Sequence, residues 1–339
     1  MPLRPAIAKI AAKETLTEAE AQAAMSTIMD GEATPAQIAA FITGLAMRGE
    51  TVEEITGFAR AIREHAVPIA PRTDHLVDIV GTGGDRLNTF NISTTSAFVI
   101  AGAGGHVAKH GNRAVGSKSG AADVLEALGI NLEASPEVVQ TCIDEVGFGF
   151  LFAPRFHPAF KYAMPPRREI GIRTVFNILG PLTNPARARR YLQGAPSPAH
   201  TEVMGRVHAL LGADRAFVVH GLDGMDEITL CAPTQITEVE GGAVRTYTIA
   251  PEQFGFRRAA LEDLRGGSPQ ENAAMAVAIL DGSARGPRRD IVVLNAGVAL
   301  VAAGVAETIE DGVGRAQQSI EAGRAYERLE ALRLRTKFG

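Results

Sequence analysis

Cysteine is scarce in this chain. Cys142 and Cys231 are the only two among 339 residues, they lie far apart, and they match no metal-ligating spacing. Neither a disulfide framework nor a cysteine-rich metal site is expected, and a reduced, cytoplasmic setting is the simplest reading. Long apolar runs are missing too: nothing approaches 18 consecutive apolar residues, so no transmembrane helix and no membrane partner are expected. The opening Met1-Pro2-Leu3-Arg4-Pro5 lacks the apolar core of a secretory signal. Charge of one sign is not in excess. The 34 Lys and Arg against 38 Asp and Glu leave a net charge of −4 with no long basic block, which disfavours a nucleic-acid partner. Internal repeats and low-complexity segments are absent. What remains is 46% hydrophobic and 21% charged, ordinary for a globular protein and long enough for one large domain or two moderate ones.

The first seventy residues read as helical. Thr17 with Glu20 and Thr51 with Glu54 have capping-box spacing, and Thr34-Pro35 with Gln37 adds a proline at the first helical position. Ile38, Phe41, Ile42, Leu45 and Ala46 recur at three- and four-residue steps, as do Ile55, Phe58, Ala59 and Ile62. Pro68 and Pro71 break the pattern, which places a boundary near residue 72. Short apolar runs then alternate with helical stretches. Strands are expected at 76–80, 106–108, 217–219 and 291–294. Helices are expected near 94–104, 119–129, 200–211, 271–281, 297–308 and 315–333, with another from Ser135-Pro136-Glu137 to Val146-Gly147. Residues 227–248 are more strand-like and allow a hairpin at Gly241-Gly242. Alternation of this kind predicts an α/β fold: a small all-helical domain, then a larger domain with a mostly parallel central sheet covered by helices.

Several short segments carry the chemistry. Gly81-Thr82-Gly83-Gly84-Asp85 leaves the run 76–80, and a glycine turn after a buried strand lets backbone N–H groups cradle phosphate. It has neither the Lys-Ser/Thr of a Walker loop nor the third glycine of a dinucleotide fingerprint. Asn91-Ile92-Ser93-Thr94-Thr95-Ser96 opens a helix with more hydroxyls than capping needs, at the positive end of the helix dipole. Lys109-His110-Gly111-Asn112-Arg113 concentrates two cations, and Ser117-Lys118-Ser119-Gly120 starts a further helix. Asp226 and Glu227 follow a glycine turn and can hold a hard cation such as Mg²⁺; a surface acidic turn is the bland alternative. The arginines of Pro165-Pro166-Arg167-Arg168 could grip a carboxylate or bind helix ends, and residue type alone does not choose.

Taken in order, these segments resemble the anthranilate phosphoribosyltransferase family. The matching motifs are GTGGD at 81–85, NTFNIST at 88–94, KHGNR at 109–113, SGAADVLEALG at 119–129, RTVFNILGPLTNP at 173–185 and HGLDGMDE at 220–227. The resemblance implies a helical domain of residues 1–71 with a returning segment near 166–186, and an α/β domain of 72–165 and 187–339. It implies a homodimer acting on two small molecules, anthranilate and 5-phosphoribosyl 1-diphosphate (PRPP), with two Mg²⁺ per monomer. By motif position, PRPP would be held by Gly81, Gly84, Asp85, Thr89, Asn91, Ile92, Ser93, Thr94, Lys109, His110, Gly111, Asn112, Arg113, Ala114, Val115, Gly116, Ser117 and Ala121. Gly81, Asn112 and Arg167 would meet anthranilate. Ser93, Asp226 and Glu227 would serve the metal ions. Gly116 and Ala121 depart from the family, which commonly has serine at both places, and each departure removes a hydroxyl donor.

The implied reaction needs no strong base. Diphosphate leaves once its charge is neutralised, and an aromatic amine, already neutral at pH 7, attacks the electron-poor ribose carbon from the opposite face. His110 is therefore not expected to be an obligatory base. A pyrimidine nucleoside phosphorylase of the same wider fold family is the competing enzyme reading, and a nucleic-acid-binding relative is the competing non-enzyme. The Asp226-Glu227 pair argues against the first and the slightly acidic charge balance against the second.

Overall fold

The computed structural model describes residues 3–73, 75–83, 87–114 and 118–338. Four helices come first: α1 (Leu3–Ala11), α2 (Glu18–Met29), α3 (Pro35–Arg48) and α4 (Val52–Glu64). The capping boxes read from the sequence form at Thr17, Thr34 and Thr51, each hydroxyl accepting the N–H three residues on. The apolar stripes of α3 and α4 face inward, and Phe41 meets Phe58 edge to face at 5.7 Å between ring centroids. Ala163, Val175, Phe176, Leu179 and Leu182 join the same apolar cluster from much later in the chain.

The rest is a sheet wrapped in helices. Its elements run β1 (Leu76–Val80), α5 (Ile92–Gly102), β2 (His106–Gly111), α6 (Ala121–Ala127), α7 (Pro136–Thr141), β3 (Phe148–Phe152), α8 (Ala153–Phe156), α9 (Met164–Ile170), α10 (Phe176–Leu179), β4 (Arg190–Gly194), α11 (Pro198–Leu210), β5 (Arg215–Gly221), β6 (Thr234–Glu240), β7 (Ala243–Ile249), α12 (Pro269–Leu280), α13 (Pro287–Ala302), α14 (Ile309–Glu321) and α15 (Arg324–Phe338). Among the described residues the sheet has seven strands in the order β3-β2-β1-β4-β5-β6-β7. The pairs from β3 to β5 are parallel, and β6 and β7 add antiparallel strands beyond β5. The expected hairpin turns at Gly241-Gly242, both at positive φ.

Three sequence expectations are corrected. Residues 291–294 are not a strand but lie inside α13, which is buried from Ile291 to Ala302. A helix apolar all round its surface has no amphipathic period, so a short stretch of it looks like a buried strand. The helix expected at 297–308 is the second half of α13 and ends at Ala302. The single helix expected at 315–333 is two, divided at Ala322-Gly323, with Gly323 at φ 74°. Strands β3 and β4 have no counterpart in the sequence reading. Strand β2 also runs to Gly111, so Lys109 and His110 sit in the sheet and not in a loop.

Candidate functional site

The strand order reverses at β1, where the chain passes first to β2 on one side and later to β4 on the other. In open parallel sheets the crevice beyond the carboxyl ends of the strands at such a reversal is where ligands bind. The chemistry-bearing segments converge there. Strand β1 delivers Gly81-Thr82-Gly83, β2 ends in Lys109-His110-Gly111, and the turn after β5 brings Asp226 against residues 81–83. Gly83 N–H and the Thr82 hydroxyl both donate to Asp226 Oδ2, at 2.9 and 3.3 Å. A Cβ at residue 81 would stand 2.7 Å from the same oxygen, so any larger residue there would push the Asp226 carboxylate aside.

Lys109 is fully buried beneath this turn. Its ammonium donates to the Ile79 carbonyl and lies 3.3 Å from Ser93 Oγ. Burial lowers its pKa, while Asp78, Glu227 and Asp226 oppose that shift, so all three acidic groups lie within electrostatic reach of one buried cation. Asp78, pushed up to about 7 by burial, accepts from His110 N–H at 3.2 Å and from Asn184 Nδ2 at 2.8 Å. The oxygens grouped about Lys109 are hard ones: the Ser93 hydroxyl at 3.3 Å, and the carboxylates of Asp226 and Glu227, which act on it electrostatically. Among the described residues no three His, Cys, Asp or Glu side chains form a metal cage. Mg²⁺ needs none, since it takes one or two carboxylates and completes its shell with water and substrate phosphate. The donor set fits that ion.

The start of α5 keeps part of its capacity open. Thr94 Oγ1 is buried and has no partner among the described residues. Ile92 is otherwise engaged, with its side chain in the core and its N–H given to Phe90 O at 2.7 Å. Asn91 makes no capping bond, and its carboxamide reaches Ser119 instead. Thr89 forms a β-bridge with Arg265, and Ala121 is the first residue of α6. The next loop is fixed by acids. Arg113 pairs with Glu126 and Asp123 at 2.8 and 3.1 Å, and Ala114 N–H donates to Asp123 Oδ2 at 2.9 Å. Asn112 is exposed and accepts from Arg113 N–H at 2.8 Å. Gly84, Asp85, Val115, Gly116 and Ser117 lie outside the described residues.

Beside His110 runs a line of rings that sequence reasoning missed. His110 packs on His157 at 4.9 Å, His157 on Phe160 at 5.5 Å, and Phe160 on Phe176 at 5.8 Å. The guanidinium of Arg167 ends the line, 4.8 Å above Phe176. Burial holds His110 at about 4 and His157 at about 3, so both imidazoles are neutral at pH 7. His110 Nδ1–H donates to Gly180 O at 3.1 Å, and the Nε2 atoms of both rings have no partner among the described residues. Arg167 is half-buried, its pKa lowered by desolvation, and no described carboxylate pairs with it. Nothing in the spacing of His157 or Phe160 marks them; only the packing brings them to Arg167.

This arrangement defines a class, and comparison with known proteins supports it. Residues 73–326 match the family model described as glycosyl transferase family, a/b domain, and residues 4–66 match the glycosyl transferase family helical bundle domain. The chain is 56% identical over 330 residues to the anthranilate phosphoribosyltransferase of Moorella thermoacetica, covering 97% of each. It superposes on the crystal structure of that enzyme from Thermus thermophilus with a TM-score of 0.94 at 46% identity, covering 98% of this chain and 99% of the other. The Saccharomyces cerevisiae enzyme in complex with PRPP and Mg gives a TM-score of 0.90 at 27% identity, covering 99% of this chain and 98% of the other. The yeast enzyme with 4-fluoroanthranilate gives 0.89 at 26%, covering 99% and 97%. The chain belongs to the anthranilate phosphoribosyltransferase family.

Proposed function

We propose that the crevice at the carboxyl edge of the sheet transfers the 5-phosphoribosyl group of PRPP to the amine of anthranilate. The products are N-(5-phosphoribosyl)anthranilate and diphosphate, a step of tryptophan biosynthesis. The observation that carries this reading is the meeting of Gly83, Ser93, Lys109 and Asp226 around one turn, in a chain with this family's length and fold. Diphosphate would lie against that turn and the start of α5, taking N–H donors, the hydroxyls of Ser93 and Thr94, and the charge of Lys109. Gly81, Gly84, Asp85, Thr89, Asn91 and the segment 109–117 complete the PRPP site in this reading.

Ser93, Asp226 and Glu227 are the residues placed to hold Mg²⁺, two ions per monomer. When bound, Mg²⁺ neutralises charge building on the departing diphosphate. The protein's own part is positioning. The anthranilate amine forms a bond to ribose C1 from the face opposite the breaking C–O bond, so the centre inverts. The nitrogen then loses a proton, which water can take. His110 and His157, both neutral, line the acceptor side without adding positive charge next to the electron-poor carbon. Arg167 pairs with the anthranilate carboxylate, and Asn112 and Gly81 flank the ring. Closure of the helical part over the sheet would exclude water from PRPP.

The same reading divides the chain into a helical domain of 1–71 plus 166–186 and an α/β domain. The apolar cluster that joins α1–α4 to Val175, Phe176, Leu179 and Leu182 supports that division. It also takes the working form to be a cytoplasmic homodimer. No helix among the described residues is long and apolar enough to cross a membrane, and both cysteines are free thiols. The test is the loss of anthranilate fluorescence on mixing with PRPP and Mg²⁺. Absence of that loss, with release of base from uridine or thymidine in phosphate, would assign the phosphorylase activity instead.

A further inference from the structure

Behind the two anion-facing turns lies one side chain that touches both of their supports. Asn272 sits in the first turn of α12, 2% exposed, where Ser268 and Glu271 close the helix start with a capping box. Its Oδ1 accepts Gly267 N–H at 2.7 Å, and its Nδ2 donates to Asn91 Oδ1 at 2.9 Å. Asn91 passes the contact on: its Nδ2 donates to Ser119 O at 3.2 Å, and its Oδ1 accepts the Ser119 hydroxyl at 3.2 Å. Main-chain groups at the two ends set the direction of the relay. Gly267 N–H can only donate and Ser119 C=O can only accept, so each carboxamide has one workable orientation.

The segment before α12 grips the first turn by its backbone as well. Phe90 N–H donates to Leu264 O at 3.1 Å, Gly266 N–H donates to Asn88 O at 2.9 Å, and Thr89 bridges Arg265. The approach is close enough that a Cβ on Gly266 would stand 2.8 Å from Phe90 Cα. Strap and helix thus hold the turn at 88–91 against the turn at 119–121. Asn91 makes three hydrogen bonds inside the protein, so its side chain works as a spacer between the turns.

We propose that Asn272 is a positioning residue for PRPP, setting the distance between these turns through Asn91 without touching the substrate. The inference rests on the reading that the two turns hold PRPP. A group that fixes geometry for one substrate alone should affect that substrate alone. The test uses the full chain with Asn272→Ala and Asn272→Asp. Aspartate keeps the shape and the bond from Gly267 but turns an acceptor toward Asn91 Oδ1, so the relay fails while the packing survives. Both variants should raise the KM for PRPP about ten-fold, the scale of one buried hydrogen bond left unmade. KM for anthranilate should stay within about two-fold, and the rise in Tm caused by PRPP with Mg²⁺ should shrink. If the alanine variant does not fold, the isosteric aspartate variant carries the test alone. An unchanged KM for PRPP, or an equal rise in both KM values, overturns the inference. Failure of the site reading looks different: the unmutated protein would then gain no Tm from PRPP with Mg²⁺ and consume no anthranilate.

Discussion

Asn184 Nδ2 donates to Asp78 Oδ2 at 2.8 Å, and the same nitrogen donates to Ala108 O at 2.7 Å. Both residues are fully buried. One carboxamide from the segment 180–187 thus ties β1 to β2 directly behind Lys109 and His110, and Asp78 takes His110 N–H on its other oxygen. The site's buried cation and neutral imidazole therefore hang from a polar knot made by three distant pieces of chain.

Removing the donor should loosen that knot. Asn184→Ala leaves Asp78 Oδ2 and Ala108 O without this partner, a penalty of about 1–3 kcal/mol. Urea unfolding should show a lower midpoint at an unchanged slope. A loss below about 0.5 kcal/mol would mean that water or a neighbour replaces the carboxamide.

Asp226 and Glu227 test the proposed diphosphate site. Asp226→Asn with Glu227→Gln removes both negative charges, while the asparagine carbonyl can still accept from Thr82 and Gly83. Turnover should fall by at least about a hundred-fold, as when an electrostatic stabiliser of a transition state is lost, and Tm should change little. Chelation of Mg²⁺ should do the same to the unmutated protein. Near-normal activity of the double variant at limiting Mg²⁺ would reduce the two carboxylates to a surface turn.

Arg167 separates the acceptor from the donor substrate. Its guanidinium is already partly desolvated over Phe176 and lacks a described carboxylate. Arg167→Ala should raise the KM for anthranilate by roughly ten- to a hundred-fold, the worth of a charge-assisted hydrogen bond, with the KM for PRPP little changed. Lysine should restore only part, having no planar fork. Equal damage to both substrates together with a lower Tm would make Arg167 a structural residue.

Acid should unfold the protein through its buried histidines. Burial holds His110 at about 4, and His157 and His208 at about 3, all below the ordinary value of 6.5. Depressed values mean that the folded state resists protonation. The stability they contribute is complete above pH 6.5 and is lost as pH falls toward 4 and then 3. Asp78 has the opposite sign: raised to about 7, it favours the fold below pH 3.8, an advantage lost as pH rises through 7. His208 is the cleanest probe, because it is buried on the inner face of α11, bonded to Gln193 Oε1 at 2.7 Å and outside the proposed site. His208→Gln should flatten the fall in stability between pH 6.5 and 4. A slope identical to that of the unmutated protein would show that other groups drive acid unfolding.

Much of the molecule is legible in one dimension because its cause is local. Capping at Thr17, Thr34 and Thr51, the stripes of α3 and α4 and the Gly241-Gly242 turn depend on residues a few positions apart. The glycine turn at 81–83, the hydroxyls that open α5 and the Asp226-Glu227 pair stand out by residue type alone, and their order led to the family. What failed was also physical. The core helix α13 has no polar face, so Ile291–Leu294 imitates a strand. Strand β4 opens with Arg190 and is identified only by the strands it pairs with on both sides.

The residue types the chemistry needs, and their grouping into short segments, were determined by the sequence alone. Which side chains are free to meet a ligand was decided by the tertiary structure. It buries Lys109 in a strand, gives Arg113 to Glu126 and Asp123, and commits Asn91 to Ser119 and Asn272. It also lines His157 and Phe160 up with Arg167. The reason is that hydrogen-bond capacity and burial are settled between segments far apart in the chain, 181 residues in the case of Asn91 and Asn272, and no local pattern encodes that competition.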